Sequence, residues 1–185
     1  WLYLKVYYLT PSIDYELSSM GLKKILEKVS IMFFEKYKNR GDIPIIFNHC
    51  DILNKNGIEA IPIVIDNRFG MNLDWFYHDT AAQRMGRDFI YNICDDDVLI
   101  CPSTMCSAIS LFSKGKKFLF VQNYSKYSVG SAEVYNYDGI ITLKGYCEDY
   151  IKQYTKVPVY SVLNGIDLKI YNCKVPQKNK NSVLI

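Results

Sequence analysis

Short apolar runs alternate along this chain with segments in which hydrophobic residues recur at helical spacing. The runs are predicted strands, because they are rich in β-branched and aromatic residues and several are bounded by Pro, Gly or Asp. They cover residues 2–10, 60–65, 98–101, 117–122, 139–143 and 159–163. The run at 60–65 is apolar at every position, which is typical of a parallel strand buried on both faces.

The segments between these runs have the periodicity of helices. Residues 22–38 repeat apolar positions every three or four residues, with Lys and Glu on the other face. A second helix is predicted over 43–56, with Asp42 as its N-cap and Gly57 just past its end. Further elements are predicted as helices at 104–112, 131–137 and 146–154, a short strand near 73–77, and one of unassigned type at 88–93.

This alternation predicts an α/β fold, a Rossmann-like doubly wound and mostly parallel sheet flanked by helices. Ligands of such sheets bind beyond the carboxyl ends of the strands, where the strand order reverses. We expect one domain over residues 1–171 and a polar, lysine-rich linker leading to a strand start over 172–185. Because a strand needs a sheet to join, we expect a second domain to follow.

Composition narrows the class of protein. The 185 residues are 49% hydrophobic and 22% charged, which is ordinary for a globular protein, and no apolar run approaches the ~20 residues of a membrane span. The net charge of +3 is scattered, so nucleic acid is not an expected partner, while peripheral association with anionic lipid stays open. Six cysteines without a C-x-x-C pair and two histidines do not indicate zinc, and they favour a reducing cytoplasm, at the inner face of the membrane if lipid is involved.

Three segments carry a family resemblance. The first is Gly41-Asp42-Ile43 with the helix and strand that follow to residue 65, and the second is the strand and turn at 117–124. The third runs from 138 to 171 and contains Asn164-Gly165-Ile166-Asp167 after a strand. Together they resemble the group 1 glycosyltransferases, the large retaining family of nucleotide-sugar enzymes with the GT-B fold. The chain departs from the family pattern at Asp42, where a second Gly is usual, and residues 10–40 and 66–95 match poorly.

The resemblance implies two Rossmann-like domains facing a cleft, of which this chain is the N-terminal, acceptor-side half. It implies transfer of a sugar from a nucleotide-sugar donor to a saccharide or lipid-linked acceptor, in bacterial surface-polysaccharide synthesis. The family's donor-binding carboxylates lie in the C-terminal domain, so this piece is expected to be inactive alone. The family needs no metal ion and no cofactor besides the donor substrate.

The candidate substrate-binding residues lie in loops at predicted strand ends and helix starts. Backbone N–H groups at a helix N-terminus can hold an anion, amides and a phenol can bond sugar hydroxyls, and a lysine can meet phosphate. Each also has a structural interpretation: an N-cap for the aspartate, loop capping for the amides, solvation for the lysine, and a tight turn for Asn-Gly. The candidates are Gly41, Asp42, Gln122, Asn123, Tyr124, Lys144, Asn164 and Gly165.

Catalytic residues are less well indicated. His78 and Asp79 form a polar pair in a predicted loop and are the candidates for acid–base chemistry. His49 lies within a predicted helix, where a structural histidine is expected, and Asp95-Asp96-Asp97 is interpreted as a turn and not as a cation site. No metal site is predicted.

Two other functions stay open. A dinucleotide-binding domain would need G-x-G-x-x-G after the first strand, and the chain has Pro-Ser-Ile-Asp-Tyr-Glu-Leu-Ser-Ser-Met-Gly there. A non-catalytic, flavodoxin-like binding module is the other alternative, because the fold by itself does not determine function.

Overall fold

The computed structural model describes residues 4–10, 42–64, 76–122 and 132–163, and the fold below is that of these residues. Within them, seven strands form one sheet in the order β3-β2-β1-β4-β5-β6-β7. Every pairing between neighbours is parallel. The strands are β1 Lys5–Thr10, β2 Glu59–Val64, β3 Gln83–Arg84, β4 Val98–Pro102, β5 Lys116–Val121, β6 Gly139–Leu143 and β7 Val159–Val162.

Helices flank this sheet, which confirms the predicted Rossmann-like α/β fold. The described helices are α1 Asp42–Lys55, α2 Arg87–Asn92, the 3-10 helices η1 Ser103–Leu111 and η2 Ala132–Asn136, and α3 Tyr146–Lys152. Parallel strands need long crossover connections, and the helices are parts of these connections.

Strand β1 occupies the centre of the sheet, because β2 pairs with it on one side and β4 on the other. Its side chains alternate between the two faces, as in any strand. Val6 and Tyr8 point to the face that α1 covers. The buried residues of this face are Val6, Tyr8, Ile46, Cys50, Ala60, Ile100 and Phe120.

Tyr7 and Leu9 point to the opposite face, which carries η1, η2 and α3. Leu9 is fully buried, as are Leu99 of β4 and Leu119 of β5 beside it. These three helices contribute the buried residues Met105 and Ile109 of η1, Val134 of η2 and Ile151 of α3, and α2 packs on the same face through the partly buried Phe89 and Ile90. Helices therefore cover both faces, as the apolar strand patterns predict.

Proline in the middle of β2 fits this sheet because β3 is so short. Val64 accepts a hydrogen bond from Met85 N, so the backbone of Val64 faces β3. Alternate residues of a strand face the same neighbour, and Pro62 therefore points to the β3 side as well. Strand β3 pairs with only Ile63 and Val64, so it does not extend to Pro62. The missing N–H of Pro62 therefore removes no hydrogen bond between these two strands.

The turn from α1 into β2 confirms the predicted role of Gly57. Gly57 has φ +80°, and its N–H donates to Asn54 O while Ile58 N donates to Leu53 O. This is the Schellman arrangement, which needs a residue with positive φ at that position. The Asn54 side chain then brackets Ala60, accepting from its N–H and donating to its carbonyl, both at 2.8 Å.

The structure differs from the sequence prediction in the type of some elements. The predicted helices at 104–112 and 131–137 are 3-10 helices, and η1 has a non-helical kink at the buried Met105, with φ −128° and ψ 29°. Such short i→i+3 turns are common connectors. Strand β3 was not predicted, because both of its residues are polar and exposed. The element predicted at 88–93 is the helix α2.

Some predictions fall outside the described residues. They include the helix at 22–38, most of the strand near 73–77, and the linker and strand start at 172–185. Residues 76 and 77, which are described, belong to no strand. Among the described helices, none is long and apolar enough to cross a bilayer.

We predict that Gly139→Ala destabilises the protein by about 1–3 kcal/mol, because a methyl group at this position overpacks the sheet. Its Cβ would lie 2.7 Å from Tyr160 Cε2 and 2.8 Å from Phe118 Cε1. The measurement is urea unfolding at 25 °C. Gly86→Ala is the control, since a Cβ there meets nothing within 4 Å, and we expect it to cost under about 1 kcal/mol. Equal effects of the two variants would contradict the packing of Gly139 described here.

Candidate functional site

The strand order reverses between β1 and β4, so the carboxyl ends of these two strands mark the crevice where doubly wound sheets bind ligands. Strand β1 ends at Thr10, which is fully buried and donates from Oγ1 to Ile63 O at 2.8 Å. Strand β4 ends at Pro102, and η1 starts with the partly exposed Ser103. The edge is thus held in position by side-chain bonds between strands.

Two of the predicted binding residues lie at this same edge, on neighbouring strands. Gln122 follows β5 directly, and Lys144 follows β6. Strands β5 and β6 pair with Val121 opposite Thr142, so Gln122 follows the register one residue before Lys144 does, and the two lie at the same edge of the sheet. Lys144 is exposed, and Gln122 is partly buried, with its Nε2 atom out of contact with solvent and without a hydrogen-bond partner among the described residues.

Most of the other predicted binding residues lie outside the described part of the chain. They are Gly41, Asn123, Tyr124, Asn164 and Gly165. Asp42 is the first residue of α1, one residue earlier than the predicted helix start. Their predicted roles stay predictions.

The catalytic candidates His78 and Asp79 lie at the opposite, amino-terminal edge of the sheet. Thr80, next to them, accepts a hydrogen bond from Asn54 Nδ2, and Asn54 is bonded to Ala60 near the start of β2. The carboxyl end of β2 is four residues further on, roughly 13 Å away. The structure therefore does not bring this pair together with Gln122 and Lys144, and their acid–base role stays a prediction.

The buried carboxylate of Asp51 fixes the segment that contains His78 and Asp79. Asp51 is 6% exposed and accepts hydrogen bonds from Asp79 N at 3.0 Å, Thr80 N at 2.8 Å and Thr80 Oγ1. A carboxylate with this many donors tolerates burial. His78 packs its ring on Phe47, with ring centroids 4.8 Å apart.

The Asp79 carboxylate also contacts two neighbouring side chains. Tyr77 OH donates to it at 2.5 Å, and Lys55 Nζ lies 3.0 Å from its other oxygen. The Tyr77 hydrogen bond, and then that of Lys55, lowers the pKa of Asp79, while the hydrogen bond to Asp79 raises the pKa of Lys55. All three side chains are exposed, so the ion pair is screened by solvent and adds little stability.

A pocket of about 360 Å³ opens at this amino-terminal edge, lined by Asp51, Asn54, Lys55, Asp79 and Thr80. It lies at the wrong edge of the sheet for the ligands of a doubly wound fold. Its polar side chains are bonded to one another or to nearby backbone. We therefore interpret it as the surface of a structural junction and not as the active site.

The acidic run at 95–97 is part structural anchor and part turn. Asp95 and Asp96 are exposed in a turn, as predicted, whereas Asp97 is 4% exposed. The Asp97 carboxylate accepts from Lys5 N at 3.2 Å and from Cys94 N at 2.8 Å. Within the described residues, no group of three His, Cys, Asp or Glu side chains could hold a metal ion.

Sequence reasoning missed Asp51, Asn54 and Asp97 as polar anchors. Each of these side chains makes hydrogen bonds with residues that the fold or a turn brings close to it. A single polar residue in an amphipathic segment does not reveal such bonds in the sequence. The available signal for Asn54 was its position one turn before a predicted C-terminal glycine, where side chains often complete the cap.

Comparison with known proteins identifies no relative of this chain. The chain matches no protein-family model, no curated protein and no solved structure. The class that the described fold defines is a doubly wound, all-parallel α/β protein.

We predict that Asp51→Ala destabilises the protein by about 2–3 kcal/mol, because it leaves the N–H groups of Asp79 and Thr80 without their acceptor. Denaturant unfolding measures the loss, and hydrogen exchange should show faster exchange of the 79 and 80 amides. Asp96→Ala, in an exposed turn, is the control and should change stability by less than about 0.5 kcal/mol. Unchanged exchange at 79 and 80 in Asp51→Ala would contradict the anchoring role.

We predict that His49 makes the protein less stable as the pH falls from 7 to 5. Its ring packs 5.8 Å from Tyr8 and 5.4 Å from Phe120, and burial lowers its pKa. The unfolded chain therefore binds a proton near pH 6.5 before the folded one does, so stability rises with pH in this window.

The measurement is the free energy of unfolding at pH 7, 6 and 5. His49→Phe keeps an aromatic ring but does not titrate, and it should flatten the pH dependence. His78→Phe removes the other histidine of the chain and should leave the His49 contribution in place. Flattening by His78→Phe alone would contradict this assignment.

Proposed function

We propose that this chain is the acceptor-binding domain of a retaining nucleotide-sugar glycosyltransferase with the GT-B fold. In this proposal the carboxyl edge of the sheet forms one wall of a cleft, and a second domain that binds the donor forms the other. The acceptor is a saccharide or a lipid-linked saccharide of the bacterial cell surface. The transferred sugar passes through an oxocarbenium-like state, stabilised by the leaving diphosphate and by cleft dipoles.

The observation that carries the proposal is the polar carboxyl edge of an all-parallel sheet. The strand order reverses between β1 and β4, and the amide of Gln122 and the ammonium of Lys144 follow the next two strands at the same edge. Hydrogen-bonding groups at this edge suit a polyhydroxylated ligand. The resemblance of residues 41–65, 117–124 and 138–171 to the family supplies the reaction type.

The cysteines support a reducing, cytoplasmic setting for the proposed enzyme. The five cysteines in the described ranges are thiols and not disulfides. Three of them, Cys50, Cys101 and Cys106, are buried in the two cores, and burial raises the pKa of Cys50 and of Cys101 to about 12. Thiols of this kind act as small hydrophobic residues and are typical of intracellular proteins.

A dinucleotide-binding domain is the second candidate function, because the order 3-2-1-4-5-6 is that of dinucleotide-binding sheets. The sequence after Thr10 argues against it, since the glycines that let a pyrophosphate approach the backbone are missing there.

Calorimetric titration of the 185-residue chain separates the candidates. We predict that UDP-glucose and GDP-mannose bind with Kd weaker than about 1 mM, because the proposed donor site lies on the other domain, and that NADH binds no better. A neutral oligosaccharide panel, screened by saturation-transfer NMR, should include binders. A nucleotide-sugar Kd below about 10 µM would contradict the domain assignment, and NADH binding of that strength would favour the second candidate.

A further inference from the structure

Strand β7 lies at one end of the described sheet, with β6 as its one described neighbour. Backbone N–H groups from the β6 side donate to Pro158 O and to Val162 O, so these carbonyls face β6. The backbone groups of successive residues in a strand point to opposite sides. The N–H and C=O groups of Val159 and Ser161 therefore point outward, where no described strand pairs with them.

This outer side of β7 lacks the features that keep sheet edges from pairing with other chains, which are short length, charged side chains and proline. Strand β3, at the other end of the described sheet, has two residues, Gln83 and Arg84, which are polar and exposed. Strand β7 has four residues and no charge, and Leu163 after it is 79% exposed. Pro158 precedes β7, and its missing N–H affects neither outward-facing residue.

The side chains beside this strand also expose apolar surface. Tyr160 is 54% exposed, and its ring centroid lies 6.0 Å from that of Phe118, on the face of the sheet that α1 covers elsewhere. Val162 lies two residues further on, on the same face, and is 39% exposed. A partner strand here would cover apolar surface and satisfy backbone groups at the same time.

We propose that β7 pairs with β7 of a second copy of this chain, so that two sheets join into one across a two-fold axis. A two-fold axis relates identical surfaces, so the two β7 strands run antiparallel. With Ser161 opposite Ser161 of the second copy, Val159 lies opposite Leu163, and all three residues exchange backbone hydrogen bonds. This strand is not part of the surface used in the proposed acceptor site.

The side chains of β7 favour a second copy over an unrelated strand, because they are complementary to themselves in this register. Tyr160 lies opposite Val162 of the second copy, and the same pair forms again on the other side of the axis. Aromatic and β-branched residues are favourable cross-strand partners. The paired strands bring no like charges together, and in α3, which packs beside β7, Lys152 is paired with Glu148 at 2.6 Å.

The oligomeric state of the 185-residue chain is the first test, measured by sedimentation velocity between about 5 and 500 µM. One pair of short strands buries less surface than a standard interface, so we expect a reversible dimer with a Kd of about 10–100 µM. The mass should rise with concentration from 21.5 kDa toward twice that value. A chain that stays monomeric over the whole range would overturn the proposal.

Two variants at Ser161 test the backbone pairing. Ser161→Pro removes an N–H that faces away from β6, which an edge strand tolerates, and it should weaken the dimer at least tenfold. Ser161→Ala keeps the N–H and should dimerise like the parent chain. Circular dichroism checks that both variants are folded. Equal dimerisation of the two folded variants would contradict the proposed pairing.

A second pair of variants decides the question if Ser161→Pro does not fold. Val162→Lys places a charge opposite Tyr160 of the second copy and should also weaken the dimer at least tenfold. Leu111→Lys makes the same kind of change at a 45% exposed residue of η1, away from β7, and should leave the Kd unchanged. A dimer weakened by Leu111→Lys and not by Val162→Lys would place the interface elsewhere and overturn the proposal.

Amide hydrogen exchange, followed by NMR at low and high protein concentration, identifies what covers the strand. The amides of Val159 and Ser161 should exchange fast in the monomer and slowly in the dimer, whereas those of Tyr160 and Val162, which face β6, should not change. Slow exchange of Val159 and Ser161 already in the monomer would mean that the chain itself covers this strand, and it would overturn the proposal. Dimerisation without any change at these two amides would do the same.

Discussion

The parallel pairing of β1 with both β2 and β4 is the constraint on which the rest of the structure depends. Crossover connections between parallel strands are right-handed. The helix that connects β1 to β2 on one side therefore packs on one face of the sheet, and the helices that follow β4 on the other side pack on the opposite face. This is why α1 covers Tyr8 while η1, η2 and α3 cover Leu9. The same geometry places the helices that follow β1 and β4 on opposite faces, and doubly wound sheets bind their ligands at such a reversal.

The two edges of the sheet use their polar groups differently. At the amino-terminal edge, Asp51 and Asp97 accept bonds from backbone N–H groups, and Asn54 fixes the start of β2. These side chains stabilise the fold, and their hydrogen-bonding atoms are largely occupied by contacts within the chain. At the carboxyl edge, Gln122 keeps an unused donor and Lys144 is open to solvent. The proposed function therefore uses the carboxyl edge, where these two described side chains are not tied into the fold by a hydrogen bond or ion pair that the structure shows.

The sequence predicted the strands well because their burial dictates their composition. The described strand at Gly139–Leu143 matches its predicted bounds, and the fully apolar run at 60–65 marked a strand buried on both faces. Strand β3 escaped prediction since its two polar residues carry no pattern. The site was predicted only in part. Position after a strand located Gln122 and Lys144 at one edge, but no local pattern shows that the 78–79 segment is drawn to the amino-terminal edge by Asp51.

Hydrogen–deuterium exchange with and without a panel of oligosaccharides tests the central claim most directly, because it reports which edge of the sheet a ligand covers. The account predicts slower exchange in peptides that span the ends of β5 and β6, with peptides of the α1–β2 turn and the 76–82 segment unchanged. Protection confined to the α1–β2 turn and the 76–82 segment would place the ligand at the amino-terminal edge and contradict the account.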